Sequence, residues 1–219
     1  MFNSIRPEDW RVAKSVHERF ASRPGSQYMA SIFALANLAA VLRRHQPRSV
    51  VEFGAGIGTI TYLLLTYGSE DRIVVSTEHH PFCLKQLKRN IPAALWKRLT
   101  VISDGREPSG EFDLAIIDGP IPETDHSTIF HPGLICFVEG GREKGRALIE
   151  ERAKEQGLVC SFRRYRERRQ PLRVKFRIKC KWNPTRFGFA RPNPRLSWSW
   201  STRSFWGSGC AIGTVRPGK

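Results

Sequence analysis

Ser49-Val50-Val51-Glu52-Phe53-Gly54-Ala55-Gly56-Ile57-Gly58-Thr59 decides how the rest of the chain is read. A β-branched run ends in an acid, three glycines alternate, and helix-forming residues follow. That order predicts a strand, a tight turn and a helix N-terminus. Glycine lacks a Cβ and tolerates positive φ, so a ligand can approach bare backbone at such a turn. The helix start adds unpaired N–H groups. The turn therefore reads as the seat of a nucleoside-bearing ligand. The dinucleotide fingerprint G-x-G-x-x-G needs its third glycine where Thr59 stands, which disfavours an NAD-dependent enzyme. No G-x-x-x-x-G-K-[ST] occurs anywhere, so a P-loop is excluded. The turn offers Glu52 and no nearby Lys or Arg on its C-terminal side, which is the wrong chemistry for a phosphate.

Outward from the turn, the apolar pattern alternates between strand and helix. Pro7 to Phe20 and Gln27 to Arg44 read as two helices that precede it, packing on a sheet or covering the site. Thr59 to Tyr67 is the helix after the glycines. Strands are predicted at Arg72–Ser76, Leu99–Ile102, Phe112–Ile117 and Leu134–Val138, with helices at Pro81–Asn90 and Lys144–Gln156. Strands that alternate with helices, and read as continuous apolar runs, indicate a mostly parallel sheet covered on both faces. Leu158–Phe162 is a sixth strand. Leu172 to Cys180 alternates apolar and basic residues, the mark of an antiparallel edge strand with one wet face. The expected architecture is α/β: a Rossmann-like doubly wound, mostly parallel seven-stranded sheet with an antiparallel last strand. The expected division is 1–45 as N-terminal helices forming a lid or cap, 46–180 as the ligand-binding domain, and 181–219 as a basic, Trp- and Pro-rich tail.

Of the 219 residues, 36 are Lys or Arg and 20 are Asp or Glu, a formal net charge of +16. A surplus of that size favours anionic partners. It concentrates between Arg163 and Lys181, where ten basic residues face one acid, Glu167. That segment is a candidate docking site for RNA or an acidic glycan or lipid, or else a solvated edge whose charges prevent strand aggregation. The five cysteines are scattered and never in a C-x-x-C pair, which argues against a disulfide framework or a zinc site and fits a reducing, cytoplasmic setting. The longest apolar stretch, Ile32 to Leu42, is too short to span a bilayer, so no transmembrane segment is expected.

Four features in order resemble the class I S-adenosylmethionine-dependent methyltransferases: Glu52-Phe53-Gly54-Ala55-Gly56-Ile57-Gly58; Glu78, an acid closing the second strand; Asp104-Gly105 after the third; and Phe112 to Ile117 ending in Asp118-Gly119-Pro120. The resemblance covers about Gln46 to Cys180. It implies S-adenosylmethionine as cofactor, held by Glu52, Gly54, Gly56, Gly58, Glu78, Asp104 and Gly105. Glu78 is then expected to accept from the ribose hydroxyls and Asp104 from the adenine amino group.

Methyl transfer needs positioning, plus a base only where the acceptor keeps its proton. Asp118 is the candidate catalytic base; His126 and His131 are weaker ones. Asp118 and Glu139 stand at adjacent strand ends, but the amide ligand that completes a metal site in some relatives is missing, so no metal is expected. The Asn/Asp-Pro-Pro-Tyr edge of amino-methylating enzymes is absent too, which favours oxygen as acceptor atom. The acceptor itself is unidentified. The alternative from another class is a non-catalytic methyltransferase-like fold acting as a nucleic-acid-binding module.

Overall fold

The computed structural model describes residues 5–119, 129–139, 143–166 and 209–217. The elements are α1 (Pro7–Ala21), a 3-10 turn (Ser26–Tyr28), α2 (Ile32–His45), β1 (Ser49–Phe53), α3 (Thr59–Thr66), β2 (Ile73–Thr77), α4 (Pro81–Asn90), a second 3-10 turn (Ala93–Arg98), β3 (Leu99–Ile102), β4 (Leu114–Ile117), β5 (Ile135–Glu139), α5 (Glu143–Glu155), β6 (Leu158–Arg166) and β7 (Gly209–Pro217). They form one seven-stranded sheet in the order β3-β2-β1-β4-β5-β7-β6. Strands β1 to β5 pair in parallel, and β7 runs antiparallel to both β5 and β6.

Successive strand residues feed two separate cores, as the two-residue period demands. Val50, Leu114, Ile116, Phe137 and Ile212 join α1, α2, α3 and α4 on one face. Val51, Phe53, Ala115, Ile117, Val138 and Ala211 join Ile149 of α5 on the other.

Among the described residues the antiparallel strand between β5 and β6 is β7. It is Gly209–Pro217, inside the segment read as a tail. Inserted between β5 and β6, it is covered on both faces, so its residues are small and apolar rather than alternating: Cys210 and Ile212 enter one core, Ala211 and Val215 the other. Leu172–Cys180 lies outside the described residues. The sixth strand also runs further than its apolar run suggested, so Arg163 to Arg166 are strand rather than loop; the rest of the basic segment, from Glu167 to Lys181, lies outside the described residues.

Helix α2 is part of the core: every residue from Ala34 to Leu42 is buried. Ser31 starts it, its Oγ accepting from Ala34 N at 3.1 Å. Asp9 fastens α1 to its far end. The Asp9 carboxylate accepts two hydrogen bonds from the Arg43 guanidinium, at 3.0 Å each, and one from Arg6 N at 2.7 Å. Burial opposes ionisation of Asp9, but these bonds win and hold its carboxyl below the usual range. Helix α3 is clamped at its C-terminus by Arg72, fully buried, whose Nη1 donates to Leu64 O and Tyr67 O and whose Nε donates to Pro47 O. A guanidinium suits the unpaired carbonyls and negative end of a helix.

The chain passes close to itself where β1 and β4 end. A Cβ built on Gly54, whose φ is +89°, would stand 2.6 Å from Gly119 Cα. Gly54→Ala is therefore expected to destabilise the fold by about 2–4 kcal/mol through strain and overlap. Gly56→Ala, at φ +55° with nothing within 4 Å of the new carbon, should cost about 1 kcal/mol. Urea denaturation checks both; equal midpoints for the two variants would contradict the account.

Candidate functional site

The glycine turn is locked to β2 from behind. Gly54 N and Ala55 N both donate to Thr77 O, at 3.1 and 2.9 Å. The β4 end is tied to the same point, with Asp118 N donating to Phe53 O at 3.0 Å. Gly58 packs tightly on α4: a Cβ there would meet Leu87 Cδ1 at 2.7 Å. Gly56 is the open position, and it lines both cavities found here.

One cavity, of about 390 Å³, has apolar walls that include Tyr28, Met29, Ile57, Ile60, Phe82 and Cys83. The other, of about 240 Å³, is more polar and includes Gly54, Thr77, Glu78, His79 and Gly119. Tyr28, Gly56 and Asp118 border both, so the two cavities adjoin at the foot of Asp118. Neither has a Lys or Arg among its described lining residues. Thr59, at the first position of α3, is 4% exposed, and its Oγ1 is buried without a partner among the described residues. It borders the apolar cavity and is free to serve a ligand there.

Glu78 organises the polar cavity. Its Oε2 accepts from Gly56 N at 2.8 Å; its Oε1 accepts from His79 N and His80 N at 2.9 and 2.8 Å. Three of roughly four acceptor directions are thus taken. One remains on Oε2 for a ligand hydroxyl, fewer than the two expected from the sequence. The same bonds join the glycine turn to the start of α4.

Glu52 does not face either cavity. It is fully buried, with Oε2 accepting from Thr61 Oγ1 at 2.6 Å and Ser76 Oγ at 2.5 Å. Its carboxyl is pushed up to about 7: burial raises it most, the two hydroxyls pull it part of the way back, and the Glu78 charge raises it. Asp104 also stands apart. Half-exposed, it pairs with Arg106 Nε at 2.6 Å and borders neither cavity. Hydrogen bonds from the Arg106 backbone and side chain hold its carboxyl below the usual range. Gly105 beside it borders neither cavity. His131 is bound at the wrong end of the sheet: its Nε2 lies 2.9 Å from Phe112 O, before β4 begins, whereas Asp118 follows that strand. His126 lies outside the described residues. Glu139 follows Val138, which pairs with Ile117, so it neighbours Asp118 by register. Among the described residues no group of three or more His, Cys, Asp or Glu side chains is placed to hold a metal.

Several lining residues carry no motif. Phe82 and Cys83 were within reach of sequence reasoning, because Pro81 begins α4 and puts both in its first turn, just after Glu78. Tyr28 and Met29 belong to the connection before α2, and nothing in their spacing signals a site.

Solved structures resemble the whole described architecture. An O-methyltransferase from Bacillus cereus in complex with SAH superposes with a TM-score of 0.54 at 15% identity, covering 96% of this chain and 92% of that one. The O-methyltransferase TomG from Streptomyces achromogenes, involved in tomaymycin synthesis and in complex with SAM, gives 0.52 at 12% identity, covering 96% and 91%. The chain has the class I methyltransferase fold. No family model and no curated protein matches its sequence. At such identities the likeness is one of fold. Within a methyltransferase fold, the two adjoining cavities lie at the C-terminal ends of β1, β2 and β4, where strand order reverses about β1; open α/β sheets bind ligands at such a switch point.

Glu78→Ala should free three amides. Hydrogen exchange at Gly56, His79 and His80 is then expected to quicken about tenfold or more, in line with the loss of charge-assisted bonds. Asp104→Ala should leave those amides unchanged. Exchange measured by NMR decides it, and unchanged rates in Glu78→Ala would contradict the assigned role.

Proposed function

We propose that this protein is an S-adenosylmethionine-dependent methyltransferase with an oxygen acceptor. The observation that carries the reading is the convergence of the open Gly56, the backbone-fixed Glu78 and Asp118 on adjoining cavities without a Lys or Arg among their described walls. Such a site suits a cationic nucleoside and repels a phosphate-bearing one. When bound, S-adenosylmethionine supplies an electrophilic methyl group, which passes to the acceptor oxygen while the electron pair of the C–S bond returns to sulfur. The residues of the chain do the rest. Glu78 and the backbone of Gly54 and Gly56 hold the nucleoside, and the Thr59 hydroxyl and the α3 N-terminus receive the carboxylate end. Asp118, at the shared border of the cavities, takes the acceptor's proton. Tyr28, Met29 and Phe82 form an apolar wall that suits an uncharged acceptor.

The cysteines fit the cytoplasmic setting proposed for this chain. Cys83, Cys136, Cys160 and Cys210 are free thiols. No helix among the described residues is long and apolar enough to cross a membrane.

Calorimetric titration with S-adenosylmethionine tests the binding half. Glu78→Ala should weaken it about tenfold or more, as expected for a lost charged hydrogen bond, and Asp104→Ala by less than about twofold. For the chemical half, a methyl-labelling screen over small alcohols, phenols, RNA and protein identifies the acceptor. Asp118→Asn should then lower kcat about 10²-fold or more with cofactor affinity little changed. Tight, salt-sensitive RNA binding without any cofactor binding would favour the non-catalytic nucleic-acid-binding module instead.

A further inference from the structure

Glu52 is an ionisable group that the reaction does not consume. It is buried with no exposed surface, and its Oε1 is enclosed without a partner among the described residues. It sits directly beneath the glycine turn, two residues before Gly54, and is tied to α3 through Thr61 and to β2 through Ser76. The elements against it bring little charge: α3 (Thr59–Thr66), β2 (Ile73–Thr77) and β4 (Leu114–Ile117) contain no acidic or basic residue. Glu78 is the charged side chain that acts on it. Glu78 in turn borders the polar cavity and grips Gly56. Glu78 acts electrostatically on Glu52 and lines the cavity, so a charge placed in that cavity is felt at Glu52 across the buried base of the turn, where electrostatic coupling is strong. Burial leaves Glu52 divided between its two protonation states near neutral pH.

We propose that Glu52 is a positioning residue by which the site sorts the cationic methyl donor from its uncharged product, favouring the donor when Glu52 is ionised. The proposal rests on the reading that the cavity binds S-adenosylmethionine. The donor carries a sulfonium that the product, S-adenosylhomocysteine, has lost, while the amino-acid, ribose and adenine parts are common to both. Donor binding stabilises the Glu52 anion and expels its proton; product binding does so less. By linkage, donor affinity should rise with pH through about 7 while product affinity stays flatter. At and above neutral pH the spent cofactor is then the more readily released.

His79 and His80 border the cavities as well, so the variant and not the parent profile separates the causes. Calorimetric Kd values for S-adenosylmethionine and S-adenosylhomocysteine are measured from pH 5.5 to 8.5. The product-to-donor Kd ratio should rise about five- to twentyfold in the parent protein, the range that one partly screened charge supplies. In Glu52→Gln it should be nearly flat. Thr61→Val keeps the acid but removes an anion-stabilising hydroxyl, so its midpoint should move to higher pH. This variant serves even where Glu52→Gln does not fold. Calorimetry in two buffers of different ionisation enthalpy should also show proton release on donor binding near pH 7, absent in Glu52→Gln. A flat parent ratio, a Glu52→Gln profile that tracks the parent, or an unmoved Thr61→Val midpoint overturns the proposal. Failure of both ligands to bind at every pH overturns the functional reading itself, and the proposal with it.

Discussion

Two backbones that leave no room for a Cβ hold this site together. Gly54 closes β1 and Gly119 follows β4, and they meet at a distance only glycine tolerates. The contact brings Asp118 to the border of the cavities beside Gly56. It also fixes where the sheet's strand order turns: β1 pairs with β2 on one side and β4 on the other. Glu78 completes the arrangement by gripping the turn through Gly56 N and the start of α4 through His79 N and His80 N. Four chain segments thus converge through backbone hydrogen bonds and one glycine contact. Little of it depends on surface ion pairs, which contribute weakly in water.

The electrostatics of the site run against those of the whole chain. The protein carries a formal charge of +16, yet the cavity walls described here include Glu78 and Asp118 and no Lys or Arg. Net charge therefore says little about what the cleft receives. A third acid, Glu52, lies beneath the turn without touching the cavity. Its ionisation is opposed by burial and aided by two hydroxyls. A cleft with this polarity is suited to hold a cation and to loosen its hold once the charge is gone.

Much of this was legible in the sequence because it is local. Strand, turn and helix at residues 49–66 follow from β-branched residues, glycines and an apolar helix in one short run, and the positions of Glu78 and Asp118 at the cavities follow from their places just after strands. What was illegible depends on long-range packing. The antiparallel strand at Gly209–Pro217 looked like tail because a strand buried on both faces loses its alternation, and its small residues carry little apolar weight. Glu52 and Gly58 match the motif yet serve the interior: one bonds Thr61 and Ser76, the other meets Leu87. No motif distinguishes a motif residue that touches ligand from one that supports it. Tyr28 and Met29 border the cavity because α2 packs Ala34 to Leu42 into the core and delivers the preceding loop there.

The most direct measurement is a crystal structure of the protein grown with S-adenosylhomocysteine. The account predicts density for the ligand across the two cavities. A ribose hydroxyl should lie on the free direction of Glu78 Oε2, the sulfur should lie beside Asp118, and the carboxylate should meet Thr59 Oγ1 at the start of α3. Density elsewhere, or Glu78 left untouched by a bound nucleoside, would contradict it.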